Sequence, residues 1–262
     1  MPASQRKNCR QPSQTSSKSG CLSLPEICRK PNSDRHHPNY VEKYSESESG
    51  AFFMSKSELL NKILRIFTFS LAVACLGIYI GQFVPEPLML PLMVIELIML
   101  LAAAFLRRRK KISYTFLFLF VTISGITMYP AIYYYLSEIG ADIVLFAFLL
   151  TLVIFVFMGI FGWVIKKDLS FMGSTLFIIL IGLIAFSIFN FFVPQSETML
   201  VIVACISAVL FSVYIMYDFN RIKHRNLTKK DVPRMVLSLY LDFVNLFMDL
   251  LRILSYFLKR RG

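Results

Sequence analysis

Seven times along this chain a run of apolar residues is closed by a short polar connector. A helix needs about 20 such residues to cross ~30 Å of hydrocarbon. The runs are 63–84, 88–106, 113–136, 143–165, 171–193, 199–217 and 235–258. No water inside a bilayer can satisfy backbone N–H and C=O groups, so runs of this length must be helices. The expected fold class is therefore an all-α membrane protein of seven transmembrane helices. Gly125 and Pro130 are expected to interrupt and kink the third.

Charge distribution supports this reading. Only 17% of the 262 residues are charged and 56% are hydrophobic. The net charge of +12 does not point to nucleic acid, because the basic residues sit in short clusters between apolar runs. Basic connectors follow runs two, four and six, for example Arg107-Arg108-Arg109-Lys110-Lys111, and the connectors after runs one, three and five carry only acidic charge. By the positive-inside rule the N-terminus and the basic connectors are cytoplasmic. Lys259-Arg260-Arg261 breaks the pattern, since seven full crossings leave it outside. Either helix seven crosses despite its charges or it turns back, and its length favours crossing. Residues 1–53 are rich in Ser, Gln, Pro, Lys and Arg and are expected to be a disordered tail ahead of a 54–262 membrane domain. Met54 opens MSKSELLNKILRIF, a plausible start of the native product. None of the five cysteines forms a CxxC pair, and Cys75 and Cys205 read as small apolar residues, so no disulfide framework or zinc site is expected. No cofactor is expected either. The connectors are too short for an extramembrane catalytic domain, so any chemistry lies inside the bundle.

Ionisable groups inside such runs are costly, roughly 2.5–3.5 kcal/mol each on insertion scales, and mark function by default. Asp218 closes run six and Asp242 lies within run seven. On run seven, Asp242, Asn245, Asp249 and Arg252 are spaced three, four and three apart, which puts them on one helix face. That face must look at other helices or at a water cavity, so helix seven is expected at the centre, wrapped by the other six. Depth then groups Asp218, Asp242 and Arg107 as an inner gate. Glu96, eleven positions before Arg107, stands about 16 Å further out. Two carboxyls in contact cannot both ionise cheaply; they titrate as a pair, in two steps. Singly protonated, the pair ties helices six and seven together. Doubly ionised, it repels and attracts a hard divalent cation such as calcium, which takes six to eight oxygen ligands. The arrangement reads as a pH-sensitive latch in a cation path, with Glu96, Asn245 and Asp249 along that path.

Several stretches resemble the transmembrane Bax-inhibitor-motif family. They include Tyr217-Asp218 with Ile222-Lys223-His224-Arg225, and Leu237-Ser238-Leu239-Tyr240-Leu241-Asp242-Phe243-Val244-Asn245-Leu246-Phe247 with Leu250-Leu251-Arg252. Others are Ile80-Gly81-Gln82-Phe83-Val84-Pro85, Ser124-Gly125-Ile126-Thr127 and Lys166-Lys167-Asp168-Leu169-Ser170-Phe171. The similarity covers about residues 60–254 and is nearest to the bacterial pH-sensitive calcium-leak proteins of that family. It implies a calcium leak through a bacterial plasma membrane, governed by a di-aspartyl pH sensor on Asp218 and Asp242, with Arg107 as partner of the first aspartate. It also implies that Glu96 lines the pore, that calcium and protons are the ligands, and that six helices surround the last. A monomer in the lipid bilayer is expected. Two features depart from the family pattern: the N-terminal tail, and Asp249, where an uncharged residue is expected.

Three rival functions fit less well. An intramembrane aspartyl protease needs Gly-x-Gly-Asp on its seventh helix, where this chain has Leu239-Tyr240-Leu241-Asp242. A non-conducting regulator that binds other membrane proteins, and a cation/proton antiporter, differ from a leak in what they transport. The chain is expected not to be an enzyme.

Overall fold

The protein is described here from a computed structural model at residues 55–106 and 112–260. The expected tail 1–53, Met54, Arg107 and the rest of its basic connector lie outside the described residues. Those residues form seven α-helices: α1 Lys56–Gly81, α2 Glu86–Leu106, α3 Tyr114–Ile139, α4 Ala141–Val164, α5 Met172–Phe192, α6 Glu197–His224 and α7 Val232–Lys259. A 3₁₀ turn, Lys229–Asp231, leads into α7. Five helices are long and apolar enough to cross a membrane: α1, α3, α4, α5 and α6. The charges of α7 keep it out of that class, although it is as long as α6.

Local chemistry explains the boundaries. Ser55 caps α1 in a reciprocal box: its hydroxyl accepts from Glu58 N–H at 3.2 Å and its N–H donates to the Glu58 carboxylate at 3.3 Å. The helix therefore starts seven residues before the apolar run. Ser113 and Ser196 cap α3 and α6 in the same way, each accepting from the N–H three residues on. A single residue, Gly140, separates α3 from α4. Its φ of +83° is open to glycine and strained for other residues, so two helices can reverse within one position. α3 runs through both Gly125 and Pro130 as one helix.

α7 packs against α1, α3, α4 and α6. Phe243 is its hub, 2% exposed, with ring contacts to Phe67 of α1 at 5.8 Å and to Phe155 and Phe148 of α4 at 5.7 and 5.8 Å. The expected wrapping by six helices is thus realised by four. α2 lies on α3 and α5 lies on α6, both peripheral. Large apolar side chains cover the outside: Leu90, Ile178, Phe157 and Phe192 are each more than 60% exposed. In water such a surface would aggregate; in a bilayer it is solvated. The chain is an integral membrane protein.

The two ends of the bundle differ in charge. Lys259 at the end of α7 pairs with Glu138 at the end of α3 (3.8 Å) and Glu197 at the start of α6 (3.2 Å). Tyr256 meets Thr198 at 3.1 Å nearby. The far end of α7 therefore lies with the acidic connectors. It does not turn back, and its basic terminus meets carboxylates there.

α1 and α3 approach along small residues. Ser70, Ala74, Gly77 and Gly81 form a buried stripe on α1, and Gly125 of α3 lies against it. A Cβ on Gly125 would fall 2.5 Å from the Ala74 carbonyl oxygen, a backbone atom that cannot rotate away. Gly125→Ala should lower stability by about 1–3 kcal/mol through overpacking, despite the better helix propensity of alanine. Gly182→Ala is the control, since nothing lies within 4 Å of a Cβ there. Thermal unfolding of both variants in detergent checks this, and a stabilised Gly125→Ala would contradict the packing account.

Candidate functional site

The basic end of α6 is buried on every side. Tyr217, Asp218, Phe219, Asn220, Arg221 and Ile222 are consecutive and all buried. Glycines admit the helix: a Cβ on Gly162 of α4 would meet the Met216 carbonyl oxygen at 2.2 Å, and one on Gly173 would meet the Tyr217 hydroxyl at 2.5 Å. α6 therefore continues seven residues past the apolar run, where the sequence suggested a basic loop.

That extension closes the end of α4. The last carbonyls of any helix have no partner within it. Asn220 accepts from Leu169 N–H at 2.9 Å and donates toward the carbonyls of Lys167 (3.1 Å), Gly162 (3.3 Å) and Ile165 (3.5 Å). Lys223 Nζ donates to the carbonyls of Trp163 (2.5 Å) and Ile165 (3.3 Å). His224 places Nε2 2.9 Å from the Lys166 carbonyl and Nδ1 3.1 Å from the Asn220 carbonyl. Beyond them, Ser170 donates twice to Asp168, and these bonds hold the Asp168 carboxyl below its ordinary range. The Lys166–Phe171 and Ile222–Arg225 stretches, far apart in sequence, are thus two halves of one clamp.

Within this frame Asp218 is 0% exposed and Asp242, on the facing helix, is 5% exposed. Contacts further along fix the antiparallel register of α6 and α7: Glu197 with Lys259, Thr198 with Tyr256, and Ser207 with Asp249. From the Ser207–Asp249 level toward the basic end, Asp218 is eleven residues away on α6 and Asp242 seven on α7. Asp218 therefore lies about one turn, ~6 Å, deeper than Asp242. Helical side chains lean toward their own N-terminus, so in an antiparallel pair these two lean toward each other. The fold brings the two aspartates to neighbouring levels of one seam. Arg221, one turn after Asp218 and 6% exposed, adds a buried positive charge. The sequence pointed to Arg107 for that charge, and Arg107 lies outside the described residues.

The other expected positions separate into three groups. Glu96 is half-buried on α2 and accepts from the Thr127 hydroxyl of α3 at 2.5 Å. On α7, Tyr240 lies against α3, its ring 6.4 Å from that of Phe120, and its buried hydroxyl has no hydrogen-bond partner among the described residues. Tyr240 and Asp242 are two residues apart and point to opposite sides of α7. Thr127 lies seven residues beyond Phe120 of α3, whose ring is 6.4 Å from that of Tyr240, so Glu96 stands further toward the acidic end than the aspartates. Asn245 spends its amide on its own helix, donating to the Leu241 carbonyl at 2.7 Å. Asp249 is buried against Ser207, whereas Arg252, expected on the same inward face, is exposed. Its long stem lets its charge leave the interior.

Arg221, Asn220, Tyr240 and Thr127 were not anticipated. The spacing Ile215-Phe219-Ile222 continues an apolar helical stripe past Asp218 and would have revealed the extension of α6. Among the described residues no three His, Cys, Asp or Glu side chains converge. A cation between the aspartates would complete its shell with carbonyls, hydroxyls or water.

A polytopic helical membrane protein with buried carboxylates on two packed helices is the class these features define. The family model of inhibitors of apoptosis-promoting Bax1 matches residues 56–259. The chain belongs to the Bax inhibitor-1 family. It is 34% identical over 213 residues to a Campylobacter jejuni protein, covering 78% of this chain and 90% of that one. The Schizosaccharomyces pombe protein named Bax inhibitor 1 is 36% identical over 143 residues, 55% of this chain and 52% of that one. The Escherichia coli inner membrane protein YbhL is 29% identical over 168 residues, 61% of this chain and 70% of that one.

Proposed function

We propose that this protein is a pH-sensitive calcium leak channel with seven membrane-spanning helices, resident in a bacterial plasma membrane with its basic end cytoplasmic. The single observation that carries the reading is the burial of Asp218 and Asp242 at neighbouring levels of the α6–α7 seam. Two buried carboxyls so placed titrate as a pair. With one proton between them they hold the helices together. Without it they repel and offer oxygen ligands to a hard cation. Arg107 is the expected partner of Asp218, and Arg221 supplies a second positive charge on the same helix. Glu96, held by Thr127, is the pore-lining carboxylate on the other side of α7. The inner-membrane relative from Escherichia coli and the lipid-compatible exterior support the location. Calcium and protons are the cargo and the signal. No cofactor, nucleic acid or enzymatic step enters this reading, and a monomer suffices for it.

Calcium flux in proteoliposomes across pH tests the proposal. The expected result is a downhill leak that changes with pH and drives no proton countertransport. Coupled proton movement would make the protein an antiporter. Absence of flux at every pH would overturn the leak and favour a non-conducting regulator that binds other membrane proteins.

A further inference from the structure

The clamp at the basic end contains an imidazole, and both of its nitrogens face acceptors. Nε2 of His224 lies 2.9 Å from the Lys166 carbonyl on the α4–α5 connector, and Nδ1 lies 3.1 Å from the Asn220 carbonyl one turn back on α6. A carbonyl oxygen can only accept. A neutral imidazole carries one N–H and one lone pair, so it serves one of these oxygens and sets its lone pair against the other. An imidazolium carries two N–H groups and serves both. The geometry at His224 is that of the protonated ring. The two contacts differ in reach: the Asn220 bond stays within α6, whereas the Lys166 bond crosses to the connector.

Charged groups surround the ring from every side of the clamp. The connector brings Lys166, Lys167 and Asp168, and Ser170 donates twice to the Asp168 carboxylate, at 2.9 and 2.7 Å. α6 itself brings Arg221, Lys223 and Arg225. Lys223 spends its ammonium on the carbonyls of Trp163 and Ile165, and Arg225 reaches the Ser170 hydroxyl at 3.5 Å. α1 brings Lys56, whose ammonium donates to the Lys223 carbonyl. After α6 come Lys229, Lys230, Asp231 and Arg234, the last two paired at 3.2 Å. The cationic surplus opposes a charge on the ring. The two carbonyls, the C-terminal end of α6 and the Asp168 carboxylate favour it. The ring is therefore a switch and not a fixed charge.

We infer that His224 is a proton-operated lock on the α4–α5 connector: protonated, it fastens the basic end of α6 to Lys166; deprotonated, it gives up one of its two bonds and loosens residues 166–171. Asn220 and Lys223 hold their carbonyls at any pH, so the connector loosens without detaching. The lock is closed while the ring is charged and is lost as pH rises through the range in which imidazole discharges, between about pH 5 and about pH 8. Asp218 lies six residues back on the same helix, ~9 Å away. The influence of the lock on the aspartate pair rests on the leak reading. The lock itself does not.

The test is hydrogen exchange on the full chain in detergent at about pH 6 and about pH 8, with exchange times scaled for the intrinsic effect of pH on amides. In the unmodified chain, peptides covering 166–171 should open about three to ten times more often at the higher pH, the worth of one hydrogen bond. His224→Gln has one amide donor that does not titrate, and His224→Lys carries a charge that stays fixed over this range. In both variants the connector should open to the same extent at the two pH values. His36 and His37 remain in place in both, so the comparison isolates His224. Thermal unfolding verifies that each variant is folded, and either one alone decides the matter. A connector that opens equally at both pH values in the unmodified chain overturns the lock, as does a pH dependence that survives in the variants. In proteoliposomes His224→Gln should move the pH midpoint of calcium flux, and adding Asp218→Asn should still abolish the response. If the unmodified chain carries no flux, the leak reading falls while the exchange result still decides the lock.

Discussion

Replacing Asp218 or Asp242 with asparagine should flatten the pH dependence of calcium flux. The amide occupies the space of the carboxyl and keeps a hydrogen-bonding side chain, but it cannot titrate. If the pair carries the signal, either substitution alone removes it, because what responds to pH is the sharing of a proton between two groups. The double variant should then behave like each single variant. Such non-additivity is the signature of residues that act as one unit. Flux should become nearly constant across pH in all three variants, since none keeps a carboxyl pair that can share a proton. The stagger of about one turn between the two aspartates sharpens this expectation. Asp218→Glu should preserve a pH response with a shifted midpoint, since a longer arm still reaches across the seam. Asp249→Asn is the internal control, because it removes a buried carboxylate from the same seam 10 Å or so away and should leave the shape of the profile intact. An unchanged profile in both Asp218→Asn and Asp242→Asn would remove the sensor assignment.

The existence and order of the helices are readable from hydropathy because lipid is the solvent for most of their surface. Reading fails where a helix is solvated by protein instead. α6 continues through Asn220 and Lys223 because α4 and the connector after it receive those side chains, and hydropathy sees only their polarity. Arg221 looked like one more topology residue for the same reason. Burial is a tertiary property, and one basic residue in a basic stretch carries no mark of it. The start of α1 was legible in Ser55-Lys56-Ser57-Glu58, a capping box that an apolar-run criterion passes over. Central placement of α7 followed correctly from its polar face, yet that face does not say how many helices cover it. Among the described residues four do, and α2 and α5, apolar enough to stand in lipid, pack mainly on α3 and α6. The two aspartates were legible from their cost alone. Their register needed the contacts of Lys259 and Tyr256 with the start of α6, and the place of Glu96 needed its bond to Thr127.

The clamp at the basic end carries the largest expected loss of stability. Asn220 is 1% exposed and serves one N–H and three carbonyls at the end of α4. Asn220→Ala leaves all four without that partner in a place water reaches poorly. One buried unsatisfied group costs about 1–3 kcal/mol, and Lys223 still serves the Ile165 carbonyl, so a loss of about 3 kcal/mol or more is expected. Asn220→Asp should be as damaging or worse: it keeps the acceptor for Leu169 N–H but turns a carboxylate toward three carbonyl oxygens. Asn220→Gln retains both functions on a longer arm and should recover part of the loss. Thermal unfolding in detergent measures the series, and a loss under about 0.5 kcal/mol for Asn220→Ala, the size of an ordinary surface change, would dismiss the clamp. Because Asn220 lies two residues from Asp218 on the same rigid turn, the loosened variant should also blur the pH response of flux before it unfolds. A stability loss with an untouched pH profile would separate the clamp from the sensor and make it scaffold alone.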